Sequence, residues 1–291
     1  MSELTLEQLL TQSSRQLGAI SDSPRFDAEL LLAHSLNKPR SYLRSWPERI
    51  VDSASLQRFE QLLQRRLAAE PIAYIFAQQQ FWSLDLAVSP DTLIPRPETE
   101  CLVEQALEKI PADSRYRIAD LGTGSGCIAL AIASERPACT LIAVDQSQAA
   151  LTIAQGNAKA LGLSNIEFLQ SDWLAALGSE RFDCIVSNPP YIEPDDPHLA
   201  ALQHEPHAAL VASDHGFSDL FQIIESAAHH LKPGGYLLLE HGYNQQDAVC
   251  QRLAQQGYTA IEPYQDYSRT PRGVCAQWFP NKENNHEQST T

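Results

Sequence analysis

The chain has 291 residues, 43% of them apolar, and a formal net charge of −15 at pH 7. This length and apolar content predict a globular protein of one large or two modest domains, and no apolar run approaches the roughly 20 residues of a membrane-spanning helix. Residues 1–85 carry 9 of the 21 Lys/Arg and 10 of the 36 Asp/Glu, which leaves 12 against 26 for the rest of the chain, and so acidic a region argues against unaided binding to a nucleic-acid backbone.

The N-terminal stretch, residues 1–75, predicts a small bundle of helices. Thr5–Gln8 has the spacing of a capping box ahead of an apolar periodic run, and Ser23–Pro24 supplies the cap and first-turn residues of a second helix. After a short third helix, Asp52 or Ser53 caps a longer fourth one. The first residues lack the basic and apolar regions of a signal peptide, so we expect a cytoplasmic protein.

Residues 76–95 predict a hairpin or extended connector, and the extended character begins at about Tyr74. Apolar residues recur in near alternation as far as Val88. In the segment Leu93–Glu100 two prolines flank an arginine and enforce an extended backbone, after which Glu98 or Thr99 can begin a helix. We place the domain boundary in this connector.

The segment 96–279 predicts an α/β domain with a parallel sheet covered on both faces, because strand and helix patterns alternate from Arg117 onward. Strands are expected near 117–121, 140–145, 166–170, 182–187 and 236–240, and helices near 127–135, 148–161, 218–231 and 245–256. Lys232–Gly235 predicts a turn. The last two strands, 258–264 and 273–279, have no helix between them and must be antiparallel. The tail, residues 280–291, is polar and predicted to be disordered.

A glycine-rich turn, Asp120–Gly126, follows the first strand of this domain and leads into a helix at Cys127. Such a turn lets the backbone approach a ligand, and the helix N-terminus offers free N–H groups. Asp145 ends the next strand, where a carboxylate would meet ribose hydroxyls, and Trp173 follows the third, where a base would lie. Three consecutive strand ends therefore predict a nucleoside site.

The motif Asn188–Tyr191 follows the apolar strand 182–187 and is poorly suited to a structural role, because prolines cannot donate ladder hydrogen bonds. The Asn188 amide offers one acceptor and two donors, the carbonyl before Pro190 is a fixed acceptor, and the tyrosine supplies a flat face. The motif therefore predicts a socket for a planar polar group.

These residues resemble those of class I S-adenosylmethionine-dependent methyltransferases, with a Rossmann-like, mostly parallel sheet and an antiparallel last strand. Asn188–Tyr191 is similar to the N-P-P-Y signature of methyltransferases that act on adenine N6, guanine N2 or a glutamine side-chain amide. Four segments resemble the release-factor glutamine methyltransferase family (PrmC, also called HemK): Ser23–Glu29, Glu70–Tyr74, Leu93–Glu100 and Glu205–Pro206.

This resemblance implies methylation of the glutamine in the Gly-Gly-Gln motif of class 1 peptide chain release factors, with S-adenosylhomocysteine as the second product. It implies that the glutamine is held by Asn188, Pro189, Pro190 and Tyr191. It implies that S-adenosylmethionine is bound by Gly122, Thr123, Gly124, Ser125, Gly126, Asp145, Trp173 and Asn188. The bundle of residues 1–75 would dock the factor, and we expect a monomer that needs no nucleic acid and no membrane.

Two other functions remain open from the sequence. A nucleic-acid N-methyltransferase could use the same N-P-P-Y motif, but it should carry a basic recognition region, and the arginines of residues 40–66 form the one basic concentration. A non-catalytic binding module could retain the fold. The histidines at 198, 204, 207 and 215 match no metal-site spacing, and the six cysteines form no Cys-x-x-Cys pair, so we expect no metal and free thiols.

Overall fold

The computed structural model describes residues 4–280. Contacts between Cα atoms divide the chain into two compact units, Met1–Ala77 and Gln78–Thr291. Among the described residues, the first unit has one apolar cluster and the second has two. Except for Pro280, the predicted disordered tail lies outside the described residues.

The first unit is the predicted helical bundle. Its helices are α1 (Leu6–Leu17), α2 (Pro24–Leu36), α3 (Arg40–Ser45), α4 (Ser53–Leu67) and α5 (Ile72–Phe76). The capping box that begins α1 is confirmed, because the Thr5 hydroxyl accepts from the Gln8 N–H and the Gln8 side chain accepts from the Thr5 N–H. Helix α4 is capped by the Asp52 carboxylate, which accepts from the Ser55 N–H at 2.9 Å. Local capping chemistry therefore sets these helix starts.

The extended conformation predicted from about Tyr74 is wrong, since this residue lies in helix α5. Pro71 stands at the N-cap, where its missing N–H costs nothing. At the other end, the Arg65 guanidinium donates to the carbonyls of Tyr74 and Ile75 at 3.2 and 3.1 Å. A side chain of α4 thus satisfies carbonyls that a five-residue helix cannot satisfy itself.

The second unit begins with the predicted hairpin, formed by antiparallel strands β1 (Gln78–Phe81) and β2 (Leu84–Ala87). A 3-10 turn over Pro97–Thr99 leads into α6 (Glu100–Lys109). The helices that follow are α7 (Cys127–Glu135), α8 (Gln148–Leu161), the single turn α9 (Ser213–Gly216), α10 (Ser218–Ala227) and α11 (Gln246–Gln255).

The described part of the second unit contains a seven-stranded sheet in the order β5-β4-β3-β6-β7-β9-β8. Its strands are β3 (Arg117–Leu121), β4 (Thr140–Asp145), β5 (Ile166–Gln170), β6 (Phe182–Ser187), β7 (Leu231–Glu240), β8 (Thr259–Gln265) and β9 (Pro271–Gln277). Strands β3 to β7 are parallel, and β9 runs antiparallel to both β7 and β8, as predicted. The strand order reverses between β3 and β6, where open α/β sheets bind ligands at the carboxyl ends of the strands.

Alternation of side chains along the strands divides the core between the two faces of the sheet. Leu238 of β7 belongs to a cluster with α6 and α7, whereas its neighbours Leu237 and Leu239 belong to a cluster with α10 and α11. Buried strands of this kind are apolar on both faces, which explains their nearly continuous apolar sequences.

The turn predicted at Lys232–Gly235 lies within the bounds of β7 as a bulge. Phe182 pairs with Leu231 and Cys184 pairs with Tyr236, so one residue of β6, Asp183, lies opposite four of β7, Lys232–Gly235. Gly234 has a φ of +83°, which glycine adopts without strain. The turn therefore stays in the sheet because the strand resumes on the same partner.

Candidate active site

A cavity of about 470 Å³ opens at the carboxyl ends of the parallel strands. This volume is within the usual range of ligand pockets. The residues that line it include Leu93, Gly122, Gly124, Asp145, Ser171, Trp173, Asn188, Pro190, Pro206, Asp219 and Gln222. Loops after β3, β4, β5 and β6 therefore meet in one site.

The glycine turn forms one wall of this cavity. Gly122 has a φ of +72°, and a Cβ added there would lie 3.1 Å from Cζ3 of Trp173. Both features require glycine at this position. Behind the wall, the Thr123 hydroxyl donates to the buried carboxyl of Asp120 at 2.6 Å, and the Ala129 N–H of α7 donates to the same oxygen at 3.2 Å. The turn is thereby fixed to the first strand and to the helix that follows.

Asp145 at the end of β4 is held by backbone donors on both sides. Its carboxylate oxygens accept from the Gly124 N–H at 2.9 Å and from the Ser147 N–H at 2.8 Å. Burial raises the pKa of this carboxyl, while the two backbone hydrogen bonds oppose the rise. Each carboxylate oxygen has two lone pairs, so a ligand hydroxyl can still bind.

Trp173 follows β5 and adopts a left-handed backbone with a φ of +45°. Its ring lies beside Gly122, and Asp219 of α10 lines the same cavity. Burial raises the pKa of the Asp219 carboxyl, and hydrogen bonds from Ser218 and the Trp173 side chain oppose the rise. An aromatic face and a carboxyl therefore stand together at this end of the cavity.

The N-P-P-Y segment follows β6 and supplies another part of the wall. The Ser187 hydroxyl donates to the Leu121 carbonyl at 2.7 Å, which joins the ends of β6 and β3. Asn188 Nδ2 donates to Thr99 Oγ1 at 3.2 Å. The half-buried Tyr191 donates its hydroxyl to Glu240 Oε1 at 3.3 Å. Both polar side chains of the motif are thus tied to groups from other elements.

The backbone after the motif is also held in place. The Tyr191 carbonyl accepts from Gln245 Nε2 at 3.2 Å. A Cβ on Gly216 would lie 2.3 Å from that carbonyl oxygen, so only glycine allows this approach. Ile192 pairs with Val211 in an isolated bridge, which closes the loop between them.

Two segments that carry the family resemblance meet through Glu205. Its buried carboxylate accepts from the Ile94 N–H at 3.1 Å and from the Arg96 guanidinium at 2.5 Å. The Leu93–Glu100 segment is therefore fixed against the Glu205–Pro206 segment, and Leu93 and Pro206 of these segments line the cavity.

The structure brings most of the predicted site residues to one cavity. The predicted residues that line it are Gly122, Gly124, Asp145, Trp173, Asn188 and Pro190. The others are not among its lining residues: Thr123, Ser125 and Gly126 in the glycine turn, buried Pro189, and Tyr191.

Sequence reasoning missed Thr99, Asp219, Gln222 and Glu240. Glu240 had a usable signal, since it is a carboxylate at the end of a strand, as Asp145 is. The other three lie on helices or turns whose approach to the site depends on packing.

Two carboxyl groups at the strand ends are fully buried. Burial raises the pKa of Asp120 to about 7 and that of Glu240 to about 7. Oδ1 of Asp120 and Oε2 of Glu240 have no hydrogen-bond partner among residues 4–280.

Among the same residues, no cluster of three His, Cys, Asp or Glu is arranged to hold a metal ion. No helix there is long and apolar enough to cross a membrane.

Family models match both parts of the chain. The "PrmC N-terminal domain" matches residues 8–76, and the "Methyltransferase small domain" matches residues 99–255. The release factor glutamine methyltransferase of Salmonella typhimurium is 49% identical over 262 residues, which cover 89% of this chain and 94% of that protein. That of Aliivibrio fischeri is 48% identical over 279 residues, with coverage of 94% and 98%.

The chain belongs to the release factor glutamine methyltransferase family. As a member it is an S-adenosylmethionine-dependent methyltransferase. The fold agrees with that of a methyltransferase from Pyrococcus furiosus, which is 17% identical with a TM-score of 0.53 and coverage of 77% of this chain and 99% of that one. The 16S rRNA N2 G1207 methyltransferase of T. thermophilus has the same TM-score, 20% identity, and coverage of 69% and 49%.

The residues of the cavity fit the methyl donor of this family. Gly122 and Gly124 line the cavity without a side chain, which allows a ligand to approach the backbone closely. Asp145 retains lone pairs for ribose hydroxyls, and the Trp173 ring offers an apolar face for the base. The donor set contains no feature that would exclude a nucleoside.

Proposed function

We propose that this enzyme methylates the side-chain amide nitrogen of the glutamine in the Gly-Gly-Gln motif of class 1 release factors. The observation that carries the proposal is that Asn188 and Pro190 line the same cavity as Gly122, Asp145 and Trp173. A planar acceptor socket and a nucleoside socket therefore share one space. The activity named for relatives at 48–49% identity supports the same substrate.

The proposed roles follow from these positions. Gly122, Gly124, Asp145 and Trp173 contact the methyl donor, and Thr123, Ser125 and Gly126 shape the turn. Asn188–Tyr191 hold the glutamine amide, with the Asn188 oxygen and the Pro189 carbonyl as acceptors for its two N–H groups. The second product is S-adenosylhomocysteine.

The chemistry explains why acceptors are needed. An amide nitrogen is a weak nucleophile because its lone pair is delocalised into the carbonyl. When bound, S-adenosylmethionine supplies an electrophilic methyl group on a positively charged sulfur. Two acceptors on the amide hydrogens aim the nitrogen at that carbon at roughly 3–3.5 Å and stabilise the positive charge that develops on nitrogen, which can lower the barrier by several kcal/mol. The N–C bond forms, the C–S bond breaks, and nitrogen releases a proton to solvent.

The first unit is proposed to dock the protein substrate, while the enzyme acts as a monomer without nucleic acid. A nucleic-acid substrate would need a basic recognition surface. Five of the arginines in this unit instead pair with carboxylates of the same unit: Arg25 with Glu7, Arg40 and Arg44 with Glu29, Arg65 with Glu70 and Arg66 with Asp27. Their charge is therefore partly neutralised before any partner binds.

The test is transfer of a labelled methyl group from S-adenosylmethionine. Parallel reactions contain release factor, the same factor with its Gly-Gly-Gln glutamine changed to alanine, DNA and RNA. We expect label in the unmodified factor alone. Label in a nucleic acid, or equal label in both forms of the factor, would overturn the proposal.

A further inference from the structure

Beneath the N-P-P-Y segment lies a buried set of polar groups that the reaction described above does not use. Thr99 and Glu240 are each 1% exposed. Thr99 closes the 3-10 turn before α6, and Glu240 ends β7. Thr99 accepts from Asn188 Nδ2 at 3.2 Å, and Glu240 accepts from the Tyr191 hydroxyl at 3.3 Å. Each contact fixes one of the two polar side chains of the motif.

The Glu240 carboxylate is unusual because Oε2 is buried without a hydrogen-bond partner among residues 4–280. Burying a carboxylate oxygen without a hydrogen bond lowers the stability of the folded state. Such a group is therefore expected to have a function or a favourable electrostatic environment that compensates. Its pKa rises to about 7 mainly through burial, while the Thr99 hydroxyl, Arg272 and the Tyr191 hydroxyl oppose the rise. The other ionisable groups that interact electrostatically with it are Glu98, Cys101, Cys127 and Tyr264.

The donors and acceptors of Glu240 and Thr99 determine which way the Asn188 amide turns. Above its pKa a carboxylate can only accept hydrogen bonds, and a threonine hydroxyl has one hydrogen to donate. No hydrogen bond between the described residues joins Thr99 to Glu240, but the hydroxyl lies close enough to lower the pKa of the carboxyl. The negative charge of the carboxylate therefore attracts the Thr99 hydrogen and leaves the Thr99 oxygen as an acceptor. Asn188 must then turn its NH₂ toward Thr99, and its Oδ1 remains for the cavity.

The reverse orientation would defeat the reaction. With its NH₂ toward the cavity, Asn188 would face the NH₂ of the glutamine, donor against donor. Asparagine has no preference of its own between the two orientations, because its O and N ends are nearly the same size. A group outside the N-P-P-Y segment must therefore select one.

We propose that Thr99 and Glu240 are positioning residues that orient the Asn188 amide so that Oδ1 accepts from the reacting glutamine nitrogen. This inference rests on the proposed function. Glu240 directs the hydrogen of Thr99, Thr99 accepts from Nδ2 of Asn188, and the same carboxylate anchors Tyr191. One buried anion thus holds both polar side chains of the motif, although neither Thr99 nor Glu240 touches the substrate.

The test compares Thr99→Val, which removes the hydroxyl at nearly constant volume, with Thr99→Ser, which keeps it. Full-length variants are assayed at about pH 8, where Glu240 is ionised. Thr99→Val should lower kcat about 10²-fold, with the Kd for S-adenosylmethionine and the Tm nearly unchanged, since misplacement of a reacting group costs rate rather than cofactor affinity. Thr99→Ser should stay within about threefold of wild type.

Glu240→Gln can donate to Thr99 and so permits the reverse orientation. Its kcat should fall about as much as that of Thr99→Val. The kcat of the double variant should be at most about twofold lower still, because both substitutions remove the same control of the Asn188 orientation. Equal losses in Thr99→Ser and Thr99→Val, losses that multiply in the double variant, or a parallel loss of cofactor affinity would overturn the proposal.

A second measurement needs no turnover. Hydrogen exchange of the ¹⁵N-labelled Asn188 side-chain NH₂ should be slow in wild type and in Thr99→Ser, and fast in Thr99→Val. Equal exchange in all three would overturn the positioning role. If wild type fails to methylate the glutamine of release factor, the proposed function fails, and the exchange rates still decide the orientation of Asn188.

Discussion

Gly122 lies at the end of β3 with a φ of +72°, and a Cβ added there would lie 3.1 Å from Cζ3 and 3.5 Å from Cη2 of Trp173. Gly122→Ala therefore introduces two costs at once. The left-handed backbone strains any residue with a Cβ, and the added methyl group pushes the indole ring toward the cavity.

Gly162 offers a matched control. It has a φ of +70° at the C-cap of α8, with no atom within 4 Å of an added Cβ. Gly162→Ala destabilises the fold through backbone strain alone, by about 1–2 kcal/mol. Gly122→Ala adds about 1 kcal/mol to the same strain through overpacking against the ring. We expect free energies of unfolding lowered by about 1–2 and 2–3 kcal/mol, respectively.

The binding of S-adenosylmethionine separates the two variants more sharply. Both Gly122 and Trp173 line the cavity and Gly162 does not. Titration calorimetry should show a Kd raised about tenfold for Gly122→Ala, which corresponds to about 1.4 kcal/mol, and an unchanged Kd for Gly162→Ala. Urea unfolding of the same samples gives the stabilities. Equal Kd values in the two variants would refute a role of the Gly122–Trp173 contact in cofactor binding.

Asn188→Ala should lower kcat by about 10³-fold because it removes an acceptor for the reacting amide, with the Kd for S-adenosylmethionine within a few-fold of wild type; loss of both would mean that Asn188 serves the cofactor instead. Burial raises the pKa of Asp120 and of Glu240 to about 7 from 3.8 and 4.5, so folding takes up protons, and the stabilisation present at acid pH is lost as pH rises through 7. Between about pH 5 and pH 8, the loss of unfolding free energy measured in urea should therefore be about 2–3 kcal/mol smaller for Glu240→Gln than for wild type. Equal pH dependence of the two proteins would contradict the burial effect. Removal of residues 1–75 should lower kcat/KM for release factor while calorimetry finds the cofactor Kd preserved, and equal methylation by the truncated enzyme would exclude a docking role for the first unit.

Much of the site could be predicted because its chemistry is local in sequence. The glycine turn, Asp145 and Trp173 each follow a recognisable strand, and parallel strands bring their carboxyl ends to one edge. The N-P-P-Y segment likewise shows its donors and acceptors in the sequence. The sequence does not show which way the Asn188 amide points, since an asparagine can turn either its oxygen or its NH₂ group toward the cavity.

The helix α5 and the bulge in β7 illustrate the limit in the fold. The apolar side chains of residues 74–76 predict an extended segment, but these residues form the end of helix α5. Arg65, nine residues before Tyr74, donates to carbonyls that this short helix leaves without a partner of its own. Lys232–Gly235 read as a turn, and the turn stays in the sheet because Tyr236 rejoins β6. In both places a partner distant in the chain decides between two locally acceptable structures.

The sequence by itself determined where helices begin, which strands are buried, and which turn and motif carry the chemistry, because caps, alternation and glycine turns depend on neighbours in the chain. Only the tertiary structure decided that β3 lies beside β6 and that Thr99 and Glu240 lie beneath Asn188 and Tyr191. Parallel strands are joined by crossovers, so their order depends on packing across the sheet. Thr99 and Asn188 are 89 residues apart, and the packing of α6 against β6 and β7 brings them into contact.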